Sequence, residues 1–179
     1  MSRFKRYVVG RNSEGKSAVL MDTPHNVQSE EGHFWRATLW GADQVPVDNS
    51  VEGDQADGRQ LREPPVGGML FRMLEIYPDN PDRDYQKQRV RELHAKVKQK
   101  YLPSEEDLER HPSLHRTDTL DCIAVISGEM YLVTDVEEVL MRPGDSVVCR
   151  GTNHGWSNRS DKPCLSVGCM ISAKALDPL

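Results

Sequence analysis

What this sequence of 179 residues lacks narrows its class before any motif is read. No apolar run approaches the roughly 18–20 residues that a membrane-spanning helix needs, so a membrane protein is not expected. The basic N-terminus, MSRFKRYVVG, has too short an apolar stretch for a secretory signal peptide. Only four cysteines are present, Cys122, Cys149, Cys164 and Cys169, and none forms a CxxC pair or a metal-type cluster. Cysteines inside apolar runs act mostly as small buried hydrophobes, so a disulfide scaffold is excluded and a reducing, cytoplasmic setting is expected. Basic excess is also missing. Lys plus Arg total 23 against 28 Asp plus Glu, a net charge of −5, and no basic stripe of the kind that tracks a phosphate backbone is visible. The densest basic stretch, Lys87 to Lys100, is interleaved with Glu92 and apolar residues, and it reads as the solvated face of a helix rather than a nucleic-acid surface. Neither an internal repeat nor a low-complexity tract occurs.

What is present is a soluble-type composition, 37% apolar and 28% charged with a mean hydropathy of −0.65. It is long enough for one domain with a proper core. Tyr7–Val9 and Ser17–Met21 flank a turn at Asn12–Gly15 and predict a hairpin. His33–Trp40 alternates as a strand, Met69–Tyr77 does so again, and Pro78 stops it. Between them, residues 41 to 67 are rich in Gly, Asp, Gln, Pro and Val without a period, which predicts a long loop of the lid or arm kind. Val90, Leu93, Val97 and Tyr101 recur at helical steps within Asp84–Tyr101, and Ser104 with Asp107 forms a capping-box pattern for a second short helix to Arg110. After His115 the chain turns strand-rich: Asp121–Ser127, Glu129–Thr134, Glu138–Arg142, Ser146–Cys149 and Cys164–Ser172, separated by turn signals such as Pro143-Gly144-Asp145. Short strands at this spacing predict an antiparallel sandwich or barrel.

Candidate chemistry sits in two stretches. In His115-Arg116-Thr117-Asp118-Thr119-Leu120-Asp121, period-two alternation puts His115, Thr117, Thr119 and Asp121 on one face. A polar row of this kind suits the wall of a wet cavity, and it sends Leu120, Cys122, Ala124 and Ile126 toward a neighbouring sheet. The second stretch, Thr152 to Asn158, carries His154 and Trp156 directly after an apolar strand. Asn158 is read as tying down the turn after His154, and His94 and His111 as surface residues.

These two stretches resemble the paired motifs of the cupin superfamily. The first motif runs G-x5-H-x-H-x3-E-x6-G, and this chain offers His115, Thr117, Asp121 and Gly128 at that spacing, with Glu109 where the leading glycine stands. The second runs G-x5-P-x-G-x2-H-x3-N. Gly144, Gly151, His154 and Asn158 match it, Cys149 replaces the proline, and the first interval is one residue shorter. The resemblance implies a mainly β fold, an antiparallel jelly-roll β-barrel over residues 68–179 with a short helical insertion at 84–110. Residues 1–67 would then be N-terminal strands and a long loop, an arm packing on the barrel or on a dimer partner. The insertion is open between closing the barrel end, contacting a second subunit and decorating the surface.

The same resemblance implies a small-molecule partner, a homodimer, and a site at His115, Asp121 and His154. Those three residues would either act as acid and base or hold one divalent metal ion (Fe, Mn or Zn), a set weakened by Thr117 standing where a histidine ligand would be. Arg72, Thr117, Thr119 and Trp156 are the candidate substrate-binding residues. Three functions follow from the resemblance: a lyase or isomerase of specialised metabolism working by His/Asp acid–base chemistry, an Fe(II) dioxygenase, or a ligand-binding barrel without catalysis.

Overall fold

The computed structural model describes residues 4–24, 26–30, 34–59, 62–96 and 99–176. Eleven antiparallel strands and two helices are described in it. The strands are β1 (Lys5–Arg11), β2 (Ser17–Pro24), β3 (Asn26–Glu30), β4 (Phe34–Ala42), β5 (Met69–Ile76), β6 (Thr119–Ser127), β7 (Met130–Val133), β8 (Glu138–Met141), β9 (Ser146–Arg150), β10 (Gly155–Ser157) and β11 (Cys164–Ser172). The helices, α1 (Arg83–Lys96) and α2 (Glu105–Arg110), lie between β5 and β6. None of the described helices is long and apolar enough to cross a membrane.

Six strands form one sheet in the order β3-β4-β5-β11-β6-β9, and three form a second in the order β10-β7-β8. This is the mainly β, jelly-roll arrangement the motifs imply. Between the two sheets at one end lies an apolar core of Val125, Met130, Met141, Cys149, Trp156 and Cys164. The β1-β2 hairpin forms a separate two-stranded sheet, and Phe4 beside it packs against Trp35, Ala37 and Leu39 of β4. Trp35, Ala37 and Leu39 alternate with Phe34, Arg36 and Thr38, so the two faces of β4 do different work: one seats the hairpin, the other faces the lumen.

That arrangement corrects one expectation. The face of β6 opposite Asp121 meets no second sheet among the described residues: Cys122 is exposed and Ile126 is 45% exposed. A jelly roll covers only the lumen side of each sheet, and the hairpin reaches β4 and β5 but not β6. Among the cysteines, Cys149 and Cys164 are buried as expected, while Cys169 is half-buried. Burial pushes the Cys149 thiol up to about 12 and the Cys164 thiol up to about 11, so neither is a nucleophile at neutral pH.

Local sequence explains the insertion. Asp82 Oδ1 accepts from the Tyr85 N–H (3.0 Å) and caps α1, just past the Pro78 and Pro81 that follow β5. The predicted helix through Tyr101 ends earlier, at Lys96, because the Gln99 N–H turns back to the His94 carbonyl (3.0 Å), a six-to-one closure. Val97 falls outside the described residues. Ser104 and Asp107 form the expected capping box on α2. Two ion pairs, Lys87 with Glu109 and Arg91 with Glu105, hold the helices side by side.

The loop from 43 to 68 lies against the barrel, fastened from β1. The Arg6 guanidinium is 7% exposed, donates to the Leu39 carbonyl (2.9 Å) and forms a two-pronged pair with Asp54. Further along, Arg59 donates to the Gln55 carbonyl and pairs with Asp43, both at 2.6 Å.

Candidate functional site

A cavity of about 490 Å³ fills the lumen, within the size range of small-molecule sites. One wall is the inner face of the six-stranded sheet. Helix α1 contributes Tyr85, Val90, Leu93 and His94 to the lining, so the insertion covers part of the cavity. His115, Thr117, Asp121, His154, Trp156 and Arg72 all line the cavity. Thr119 shares their strand face and is 2% exposed, but it lies beneath the lining, sharing a 2.7 Å hydrogen bond with the Thr117 hydroxyl.

His115 and His154 stand a long way apart in sequence and are brought together by an isolated antiparallel bridge. Each N–H donates to the other's carbonyl, at 2.9 and 3.0 Å. Partners across such a bridge project side chains to the same side, and the two rings lie 4.6 Å apart between centroids. Trp156 packs edge-on against His154 at 5.7 Å. Both imidazoles are fixed in one tautomer. His115 Nδ1 lies 2.8 Å from the Ser113 carbonyl, and His154 Nδ1 lies 2.9 Å from the Thr152 carbonyl. A carbonyl only accepts, so each Nδ1 carries the hydrogen and each neutral ring keeps its lone pair on Nε2.

Asp121 completes the group. Its Oδ2 lies 3.9 Å from His154 Nε2, and its Oδ1 is buried with no hydrogen-bond partner among the described residues. Burial raises its carboxyl above the ordinary range, against the opposing pull of Thr119, His154, Arg72 and Arg62. Burial also lowers the His154 imidazole, and Arg62 adds to that effect. His115 is driven well below its ordinary value, first by burial and then by Arg62 and His154. Burial thus works toward the proton-bearing form of Asp121 and the neutral forms of His154 and His115.

In kind, these donors suit a divalent ion: two imidazoles with free Nε2 lone pairs and a carboxylate oxygen awaiting a partner. Among the described residues, however, no three His, Cys, Asp or Glu groups are gathered closely enough to form a ready cage.

Four residues of the lining depart from the sequence reading: Arg36, Arg62, His94 and His111. Arg36 and Arg62 face the lumen beside Arg72. Arg36 was legible in principle, since it alternates with Trp35 and Ala37, but assigning its face needs the register of β4. Arg62 lies in the loop, where no period exists to read. His94 is not on the surface as expected but 4% exposed, with Nδ1 lacking a partner among the described residues. Burial, then Arg62, lowers its imidazole to about 4. Its signal was its place one turn after Val90, on the apolar side of α1. His111 is likewise not a surface residue. It lines the cavity, bonds Ser113 Oγ through Nδ1 (2.8 Å) and approaches Asp79 (3.7 Å). Arg72, 6% exposed, donates to the Arg62 carbonyl at 2.6 Å. Asn158, fully buried, donates to the Ile76 and Lys162 carbonyls and accepts from Ser160, which ties down the turn after His154 as expected.

Known proteins share sequence with this chain. The family model described as "Cupin domain" matches residues 98–167. Oryzines biosynthesis cluster protein J of Aspergillus oryzae is 52% identical over 163 residues, covering 87% of this chain and 74% of that protein. A cupin-domain-containing oxidoreductase of Aspergillus ruber, fogC, is 27% identical over 88% of this chain and 66% of its own length. Among solved structures, the cupin domain of Schizosaccharomyces pombe Cnp3 covers 94% of this chain and 87% of its own, at 8% identity and a TM-score of 0.48.

Proposed function

The chain belongs to the cupin superfamily, and from that premise we propose that it is an enzyme of specialised metabolism, a lyase or isomerase that moves a proton on a small molecule in the lumen. The biosynthesis-cluster relative supports the metabolic setting. The observation that carries the chemistry is the pair of cavity imidazoles locked with Nε2 free, beside a buried carboxyl whose burial favours its acid form.

In this reading His115 Nε2 takes a proton from an acidified carbon of the substrate. For a dehydration, the C–H electron pair becomes the new C=C bond while the neighbouring C–O bond breaks. Asp121 gives its proton to the departing hydroxyl, which leaves as water, and Arg72 and Arg62 stabilise the carboxylate that forms. For an isomerisation the proton returns to a different carbon. Helix α1 and the edge of Trp156 keep bulk water from the carbanion-like stage.

The orphaned Asp121 Oδ1 favours a second reading. His115, His154 and Asp121 would hold one divalent ion, which when bound would supply Lewis-acid or oxygen chemistry. Elemental analysis of the untagged protein beside His154→Ala separates the two. Near one equivalent of iron, manganese or zinc, lost in the variant, replaces the acid–base reading. Metal-independent incorporation of deuterium from D2O into a bound acid, lost in His115→Gln, supports it. A barrel that binds ligand but exchanges no proton sinks both enzymatic readings.

A further inference from the structure

Arg62 lines the lumen from the 43–68 loop, and Arg72 holds that stretch of loop against β5 by donating to its backbone carbonyl (2.6 Å). Burial is the first cause that lowers the Arg62 guanidinium, to about 10. Among the described residues its side chain makes no hydrogen bond and no ion pair, although a guanidinium carries five N–H donors. The two carboxyls that attract it do not use them. Glu63 accepts from the Asp118 N–H and does not line the lumen. Asp121 is not bonded to Arg62, so the donors stay unused whichever protonation state Asp121 holds. The other two lumen guanidiniums are engaged within the protein, Arg36 over the Phe34 ring at 5.9 Å and Arg72 on the Arg62 carbonyl.

Sheet register decides what lies beyond that cation. Along the inner face of β5, Arg72, Leu74 and Ile76 follow one another toward Pro78, and β4 sets Thr38, Arg36 and Phe34 opposite them. Asp121 lies the other way, opposite Met170 and one inward position past Gly168, the partner of Arg72. Arg62 belongs with the Asp121 end, because its charge acts on Asp121, His94, His115 and His154 alike. From Arg72 to Ile76 the wall runs about 13 Å and turns apolar with Leu74, Ile76 and Phe34. Val90 and Leu93 of α1 add to that apolar lining. A lumen with an unbonded guanidinium near its reactive groups and hydrocarbon along its wall matches a ligand that is ionic at one end and apolar over the rest.

We propose that the lumen takes an amphipathic monocarboxylic acid, its carboxylate on the Arg62 guanidinium and its apolar body along Phe34, Leu74, Ile76 and Leu93, so that the 43–68 loop is part of the substrate site. A planar, two-oxygen anion meets the fork of a guanidinium with two parallel hydrogen bonds, and a single such residue suits one carboxylate. The polar end of the acid then stands on the side of the lumen that holds His115, His154 and Asp121, where the proton transfer proposed above takes place. The assignment rests on the lumen being the substrate site, as in that reading, but not on the reaction there.

The test is calorimetric binding to the full chain at pH 7.5, using straight-chain acids from butanoate to decanoate, the primary amide of each and the matching alkyl phosphates. Affinity for the acids is expected to rise about three- to fourfold per added CH2 until the wall is filled. The best acid should bind one to one and about tenfold or more tightly than its amide. Arg62→Gln, in the loop and outside the sheet, should weaken the acid about tenfold or more and leave the amide unchanged, and Arg62→Lys should restore part of the loss. Leu93→Ser should flatten the dependence on chain length while keeping the preference for acid over amide. Equal affinity for acid and amide, no effect of Arg62→Gln, tighter binding of the phosphates, or no binding across the series would each overturn the proposal. Acid binding without deuterium exchange would sink the catalytic reading and uphold this one, whereas exchange into a ligand that Arg62→Gln does not weaken would do the reverse. Far-ultraviolet circular dichroism of the variants confirms that they are folded.

Discussion

Acid should destabilise this protein through His94 in a way that a single substitution can isolate. The imidazole lies under α1 at 4% exposure, its Nδ1 has no partner among the described residues, and it is held at about 4 against an ordinary 6.5. A base whose value is lower in the folded protein binds its proton more tightly when unfolded. Between pH 6.5 and about 4 the unfolded chain therefore carries the extra proton. The neutral ring's contribution is complete above pH 6.5 and drains away as pH falls toward 4. At about 1.4 kcal/mol per pH unit, the gap corresponds to roughly 3 kcal/mol lost across that window. Urea unfolding of the wild type and His94→Gln at several pH values from 7.5 to 4.5 measures it. His115 and His154 titrate in both proteins, so their share cancels in the difference. The variant starts less stable at pH 7.5 and should then lose less on acidification, by about 1 kcal/mol or more per pH unit below 6.5. Parallel pH profiles would refute the claim that this ring is buried neutral.

Two further expectations concern stability. Asn158→Ala removes a buried amide that donates to the Ile76 and Lys162 carbonyls and accepts from the Ser160 N–H and hydroxyl, and should cost about 2–4 kcal/mol. A shift in urea midpoint with unchanged slope reads it, and a loss below about 1 kcal/mol contradicts the account. Gly128 has φ of 75°, and a Cβ there would stand 2.5 Å from the Pro163 carbonyl oxygen, whereas Gly144, at φ of 96°, has open space around it. Gly144→Ala should cost about 1–2 kcal/mol from the backbone alone. Gly128→Ala should cost clearly more, and equal melting temperatures for the two variants would remove the steric argument.

The sequence by itself determined the parts of this protein that local rules govern. Period-two alternation put His115, Thr117, Thr119 and Asp121 on one face. The capping box of Ser104 and Asp107 started α2, and the paired motifs identified the jelly roll and placed His154 with His115. Each depends on neighbours a few residues apart, or on spacing the chain carries in one dimension. Short pieces escaped it. β3 and β10 were not anticipated, because strands of five and three residues owe their existence to the partners beside them.

Tertiary structure decided the character of the site. Arg36 faces the lumen only because the register of β4 against β5 puts Trp35, Ala37 and Leu39 under the hairpin, and a one-residue slip would reverse it. Arg62 arrives from a loop without a period, pinned through the Arg72 hydrogen bond to its carbonyl. His94 reads as one more polar residue on a charged helix until that helix is laid over part of the cavity. Electrostatics in a closed space depends on which groups meet there, and residues from β4, β5, the loop and α1 meet only after the sheet has closed around them.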